Sequence, residues 1–260
     1  MNLNDPNYVK EQYRASDNLS ARAALHERFR TAPRRWFDWY FDHLDLPRDA
    51  RVLEIGCGTG ALWRENRARV PATWQLTLTD FSCGMIETTR AIGIAADFAQ
   101  NDAQAIPFRD ASFDAVIANH MLYHVPDLPR ALAEFRRVLN PGGKLFAATN
   151  GTDHMRELDE LVAQFLGGQQ LQRQLTFHRD NGRAILASHF PNARWVDYPD
   201  TLVVTETEPL VAYAMSGFIG KQIIGSEREN ALREFAAERI ARDGAFRITK
   251  STGLFIAIRR

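Results

Sequence analysis

The run RVLEIGCGTG, residues 51–60, constrains this 260-residue chain more than any other. Val52, Leu53 and Ile55 make a short buried strand, and the chain then breaks into glycines at alternate positions, Gly56, Gly58 and Gly60. A strand, a glycine-rich turn and a helix open a nucleotide-binding α/β unit. Glycine is needed in such a turn because the chain bends with φ > 0 and brings its backbone close to a ligand, which a Cβ would block. The run LTLTD at 76–80 is a second strand, ending in Asp80. In an open parallel sheet an acid so placed sits in the crevice at the carboxyl ends of the strands, where it accepts the hydroxyls of a ribose.

Two chemistries share this grammar. A dinucleotide site asks for G-x-G-x-x-G/A, which Gly56, Gly58 and Ala61 satisfy formally. Glu54 argues the other way, because a carboxylate two residues before the turn repels a pyrophosphate and attracts an ammonium. The pattern E-x-G-x-G-x-G therefore suits S-adenosylmethionine better than NAD. With these residues the chain resembles the class I S-adenosylmethionine-dependent methyltransferases, in the small-molecule branch called type 11. Three further stretches carry the resemblance. Asn101-Asp102-Ala103-Gln104, with Ile106-Pro107-Phe108 and Ser112-Phe113-Asp114, is similar to that family's third acidic loop and the approach to its fourth strand. Val116 to His120 is similar to the strand end that faces the transferable methyl, and Leu139 to Leu145 to the turn into the fifth strand.

The similarity spans roughly residues 45–150 and implies a Rossmann-like, doubly wound sheet of seven mostly parallel strands, with an antiparallel last strand and a helical cap or lid. The implied organisation is an N-terminal helical arm or cap over 1–44 and a cofactor-binding core over 45–260, with lid insertions at about 167–190 and 206–244. The cofactor implied is S-adenosyl-L-methionine and the reaction an in-line transfer of its methyl to a small-molecule O, N or C nucleophile. Two alternatives are an NAD(P)-dependent Rossmann oxidoreductase, opposed by Glu54 and by the lack of a Tyr-x-x-x-Lys pair after the fourth strand, and a regulator that binds the cofactor without catalysis.

Thirty-two basic and thirty-two acidic residues cancel. That balance, with no Asn-Pro-Pro-Tyr or Asp-Pro-Pro-Tyr segment to hold a flipped base, argues against a nucleic-acid partner. Cys57 and Cys83, the only cysteines, lie within the expected cofactor loops and not at disulfide or metal-ligand spacing, which fits a reducing compartment and no metal. Without an apolar run of about 18 residues or a charged-then-apolar leader, the sequence reads as cytoplasmic with no membrane partner.

Along the chain, residues 1–18 form an arm around Tyr8, Val9 and Tyr13, and the resemblance makes Tyr13 a candidate for closing the active site. Residues 19–46 are helical in two pieces, the second starting after Pro33 with Trp36, Phe37, Tyr40, Phe41 and Leu44 on one broad apolar face. Helices are expected at 61–70 and 85–91, and a strand through Ile94, Ala96 and Phe98. Phe81 and Met85 suit the two faces of an adenine ring. Asp102 is placed to accept from the adenine amine and the Ala103 N–H to serve a ring nitrogen, a turn role being the plainer reading of Asp102. The strand at 113–118 delivers Asn119, His120, Tyr123 and His124 to the top of the sheet. His124 and His120 are candidates for contacting substrate or removing a proton, since imidazole titrates near neutrality. The expected cofactor-binding set is thus Glu54, Gly56, Cys57, Gly58, Gly60, Asp80, Phe81, Met85, Asp102, Ala103 and Asn119.

In the second half, Leu158, Leu161, Val162 and Phe165 mark a helix stopping at Gly167-Gly168, residues 169–174 a mobile lid, 181–190 a helix and 195–205 one extended strand. Ser226 and Glu229 read as a capping box for a helix ended by Asp243-Gly244. The apolar stretch 209–224 suits a lid, a pocket wall or the interface of a homodimer, and 254–258 a closing core strand.

Overall fold

The computed structural model describes residues 16–168, 175–216, 223 and 225–260. Two helices, α1 (Ser16–Phe29) and α2 (Trp36–Asp42), precede β1 (Arg51–Ile55), α3 (Ala61–Glu65), β2 (Gln75–Asp80), α4 (Cys83–Ala91), β3 (Asp97–Gln100) and β4 (Phe113–Asn119). There follow α5 (Leu128–Val138), β5 (Leu139–Asn150), α6 (Arg156–Phe165), α7 (Arg179–Leu186), β6 (Arg194–Asp197) and β7 (Thr201–Val204). The chain closes with α8 (Thr207–Met215), α9 (Ser226–Asp243), β8 (Phe246–Thr249) and β9 (Thr252–Ile258).

Seven strands form the main sheet in the order β3-β2-β1-β4-β5-β9-β6, with β9 antiparallel to both of its neighbours. The strand order reverses between β1 and β4, which sets the ligand crevice at their carboxyl ends. The period-2 alternation of strand side chains explains why the inner strands are apolar throughout. In β4, Val116 and Ala118 pack with α5 residues such as Phe135, while Ala115 and Ile117 join Tyr40, Trp63 and Ile86 on the opposite face. Asp127 caps α5 by accepting from the Arg130 N–H, and Leu128, Ala131, Leu132, Phe135 and Val138 bury its apolar stripe.

A third core lies outside the sheet. It joins Leu25 and Phe29 of α1, Leu158 and Val162 of α6, Leu202 and Ile248 of the β7–β8 pair, Leu210 of α8, and Leu232 and Ala236 of α9. This is the cap, and it redraws the expected boundaries. The described residues 16–44 are not one unit, since α1 packs into the cap while Tyr40 and Phe41 of α2 pack on the sheet. Nor do residues 175–190 stand off as a lid, because Phe177, Leu186 and Phe190 are buried in the sheet's own core. The strand expected over 195–205 is two strands in two sheets, β6 at the main edge and β7 paired with β8 and bridged at Leu202 to Arg30. Pro199, which has no N–H for a ladder, falls between them, and the adjacent Asp200 accepts from the Thr31 and Ala32 N–H groups. The last long helix takes Gly225 as its N-cap, one residue before the expected Ser226, and ends at Gly244 with φ of 74°.

The arm with Tyr8, Val9 and Tyr13, the segment 169–174 and most of 217–224 lie outside the described residues. Among the described residues no helix is long and apolar enough to cross a membrane.

Candidate active site

The turn after β1 is fixed by backbone bonds to β2: the Gly56 and Cys57 N–H groups both donate to the Thr79 carbonyl, at 2.8 and 2.9 Å. Gly56 and Gly58 have φ of 74° and 56°, the left-handed region. A Cβ on Gly56 would lie 2.9 Å from the Met121 Cβ, whereas one on Gly58 would meet nothing within 4 Å. Gly56 is therefore required by packing, and Gly58 lets the backbone face a cavity. That cavity, about 450 Å³, lies at the carboxyl ends of β1, β2, β3 and β4.

Twelve of the fourteen residues expected to bind or react line it: Glu54, Gly56, Cys57, Gly58, Asp80, Phe81, Met85, Asp102, Ala103, Asn119, His120 and His124. Gly60 does not. It is the N-cap of α3, and a Cβ there would stand 2.8 Å from the Thr89 Cγ2, so the helix start and not a ligand demands glycine. Tyr13 lies outside the described residues.

Two acids define one region of the cavity. Asp80 is held in place by its own loop, accepting from the Gly58 N–H at 2.9 Å and the Ser82 N–H at 2.8 Å. Burial nevertheless raises its carboxyl above the usual range, only partly offset by these donors. Glu54 is 2% exposed and accepts from the Trp63 indole N–H at 2.5 Å. Burial pushes its carboxyl up to about 8, the Trp63 bond pulling back and Asp80 adding to the rise. Glu54 thus carries a proton at neutral pH and ionises when a cation approaches. The standing negative charge expected of Glu54 from its place before the glycine turn is thus corrected by its burial in β1.

Asp102 takes the turn role: its carboxylate accepts from the Gln104 backbone N–H at 2.9 Å and from the Gln104 side-chain amide. Its neighbour Asn101, 7% exposed, has both side-chain polar atoms buried with no hydrogen-bond partner among the described residues, and the buried Oδ1 of Asn119 likewise has none there. Unsatisfied polar atoms on a cavity wall are costly unless a ligand completes them. Asn101 is absent from the cofactor-binding set expected from sequence, although its position directly after β3, at the sheet's carboxyl edge, points to the cavity.

His120 ends β4 with a left-handed φ of 54°, its N–H donating to the Ala148 carbonyl. Burial, with Lys250 nearby, lowers its imidazole to about 4. Tyr123 and His124 sit on a single 3-10 turn, their rings 4.6 Å apart. Cys57 points into the core toward the Thr89 hydroxyl, and burial raises its thiol.

A doubly wound sheet with an acidic, glycine-walled cavity at its switch point defines a Rossmann-like nucleotide-binding protein. Residues 53–147 match the family model described as a methyltransferase domain. The chain is 37% identical over 115 residues to demethylmenaquinone methyltransferase of Renibacterium salmoninarum, covering 44% of this chain and 47% of that protein. It is 36% identical over 141 residues to malonyl-[acyl-carrier protein] O-methyltransferase of Enterobacter lignolyticus, covering 53% and 54%. The chain spans about half the length of these curated relatives. Among solved structures it shares its fold with an S-adenosylmethionine-dependent methyltransferase from Thermotoga maritima (TM-score 0.55, 16% identity, 96% and 100% covered). The [4+2]-cyclase SpnF has the same fold (TM-score 0.57, 19% identity, 97% and 96% covered). The methyltransferase-domain match thus covers residues 53–147, from within β1 into β5.

The cavity fits S-adenosylmethionine: its lining carries two acids suited to a ligand with a sulfonium and an ammonium, the apolar Phe81 and Met85, and the buried polar atoms of Asn101.

Proposed function

We propose that the protein transfers a methyl group from S-adenosylmethionine to a small-molecule acceptor. The observation that carries this reading is the convergence of Glu54, Asp80 and the unpartnered Asn101 and Asn119 on one cavity at the β1/β4 switch point. When bound, the cofactor supplies a methyl already activated on a positively charged sulfur. The chain's own contribution is alignment and exclusion of water. Glu54 answers the amino-acid ammonium, Asp80 the ribose hydroxyls, Phe81 and Met85 the faces of the adenine, and the Ala103 N–H and Asn101 its edge. Asn119 and His124, at and beyond the end of β4, are assigned to the acceptor side. His120 is a poor general base, because an imidazole lowered to about 4 holds a proton only weakly at neutral pH.

The names of the relatives include both an O-methyltransferase and a C-methyltransferase. The acceptor atom is therefore set by the acceptor-side wall and not by the cofactor half. Methyl-labelled cofactor incubated with the full chain and a metabolite panel tests transfer directly, and melting tests binding. S-adenosylmethionine or S-adenosylhomocysteine should raise Tm by mass action, and NADH and NADPH should not. Stabilisation by the nicotinamides alone would overturn the reading.

A further inference from the structure

Resting on the reading above, we propose that the Asn101 amide reads the edge of the cofactor's base in either of its two orientations, so that the pocket takes 6-oxo as well as 6-amino purine nucleosides. Asn101 follows β3 directly and lines the cavity, 7% exposed, with neither its Oδ1 nor its Nδ2 partnered among the described residues. The main chain fixes its place, the Asn101 N–H donating to the Asp80 carbonyl at 3.1 Å. The strands run in the order β3-β2-β1, so the cavity passes from Glu54 at β1 to Asp80 at β2 to the loop 101–104 after β3. A nucleoside with its amino-acid end at Glu54 and its ribose at Asp80 therefore turns its base toward that loop. An amide buried there without partners is costly unless a ligand completes it.

The other polar side chains of the loop are committed. Asp102 accepts from the Gln104 N–H at 2.9 Å and, on both oxygens, from the Gln104 Nε2 at 3.0 Å. The Gln104 Oε1 accepts from the Asp127 N–H at 3.1 Å, so the Gln104 amide is locked with its nitrogen toward the acid and its oxygen toward α5. An ionised Asp102, an acceptor whichever way it turned, would select an amine. No such bonds fix the Asn101 amide. With an acceptor and a donor side by side it matches adenine, Oδ1 taking the 6-amino group and Nδ2 giving to N1. Turned by half a turn about its last bond, it matches hypoxanthine, Nδ2 giving to the 6-oxo group and Oδ1 taking the N1–H. The remaining ring nitrogens are acceptors in both bases, so the Ala103 N–H does not choose between them. A purine with hydrogen at position 6 leaves Oδ1 unmet, and it is this ligand that the site rejects.

Calorimetric titration of the full chain compares S-adenosylhomocysteine with its 6-oxo counterpart, S-inosylhomocysteine, and with the analogue bearing hydrogen at position 6. The first two should bind within about threefold of each other and the third about tenfold or more weakly, the size of leaving one buried acceptor unpaired. Asn101→Leu removes the amide at similar volume, and should bind all three ligands within about threefold of one another. The series on the wild-type chain stands whether or not that variant folds. A wild-type preference for the 6-amino over the 6-oxo ligand beyond about threefold, wild-type binding of the position-6 hydrogen analogue as tight as that of S-adenosylhomocysteine, or a folded Asn101→Leu variant that keeps the wild-type ranking overturns the proposal. Failure of S-adenosylhomocysteine itself to bind would instead overturn the broader reading.

Discussion

At Glu54 burial and hydrogen bonding compete, and burial wins: the carboxyl rises from its ordinary 4.5 to about 8 although the Trp63 indole donates to it. A cation brought into the same space lowers that value again, since an opposite charge favours the ionised form. Binding of S-adenosylmethionine at pH 7 should therefore release a proton, approaching one per site. Calorimetric titration in two buffers of different ionisation enthalpy counts it. An apparent enthalpy identical in both buffers would mean that the cation sits elsewhere.

The turn between β1 and α3 separates what a glycine does for folding from what it does for binding. Gly56→Ala drives a Cβ to within 2.9 Å of Met121 in a left-handed conformation, and should cost about 2–4 kcal/mol through overpacking and strain. Gly58→Ala carries only the backbone cost, about 1–2 kcal/mol, but sets a methyl into the cavity. Denaturant melts should find the Gly56 variant the less stable, while calorimetry should find that the Gly58 variant folds and binds cofactor at least tenfold more weakly. The reverse ranking would relocate the cofactor. Such a turn is legible in sequence because glycine, acid and strand follow one another within ten residues and each has a local physical cause. The same holds for β4 and α5, where apolar periodicity and the Asp127 cap agree. What escaped sequence reading depends on distant partners. Nothing local says that β7 leaves the main sheet for β8, which lies more than forty residues later, or that Arg22 of α1 comes to line the same cavity as His120. The rise of the Glu54 carboxyl was equally hidden, because it follows from burial in the folded chain and not from the motif.

Across the whole molecule, the cap and the cavity leave opposite signatures on stability. His26 and His120 are held neutral, lowered from 6.5 to about 3 and about 4 by burial and nearby Lys250. Their folded values are depressed, so the stability they permit is fully present above pH 6.5 and is lost as pH falls toward those values. Glu54 is raised, so its contribution is fully present below pH 4.5 and is lost as pH rises through about 8. Between pH 4.5 and 6.5 the unfolded chain takes up two protons that the folded histidines refuse, while the folded Glu54 keeps one that the unfolded chain releases. Stability there climbs with pH by the net of one proton, about 1.4 kcal/mol per unit. Of these three groups only Glu54 still titrates above pH 6.5, and its slope is of similar size and opposite sign. The free energy of unfolding should therefore peak near pH 6.5, and urea titrations from pH 5 to 8 measure it. Glu54→Gln keeps an acceptor for the Trp63 indole N–H but removes the ionisation, so its curve should stay flat from pH 6.5 to 8 while retaining the acid limb. A wild-type curve that is flat above pH 6.5, or a Glu54→Gln variant that still declines there, would show that the buried carboxyl does not hold its proton in the folded protein.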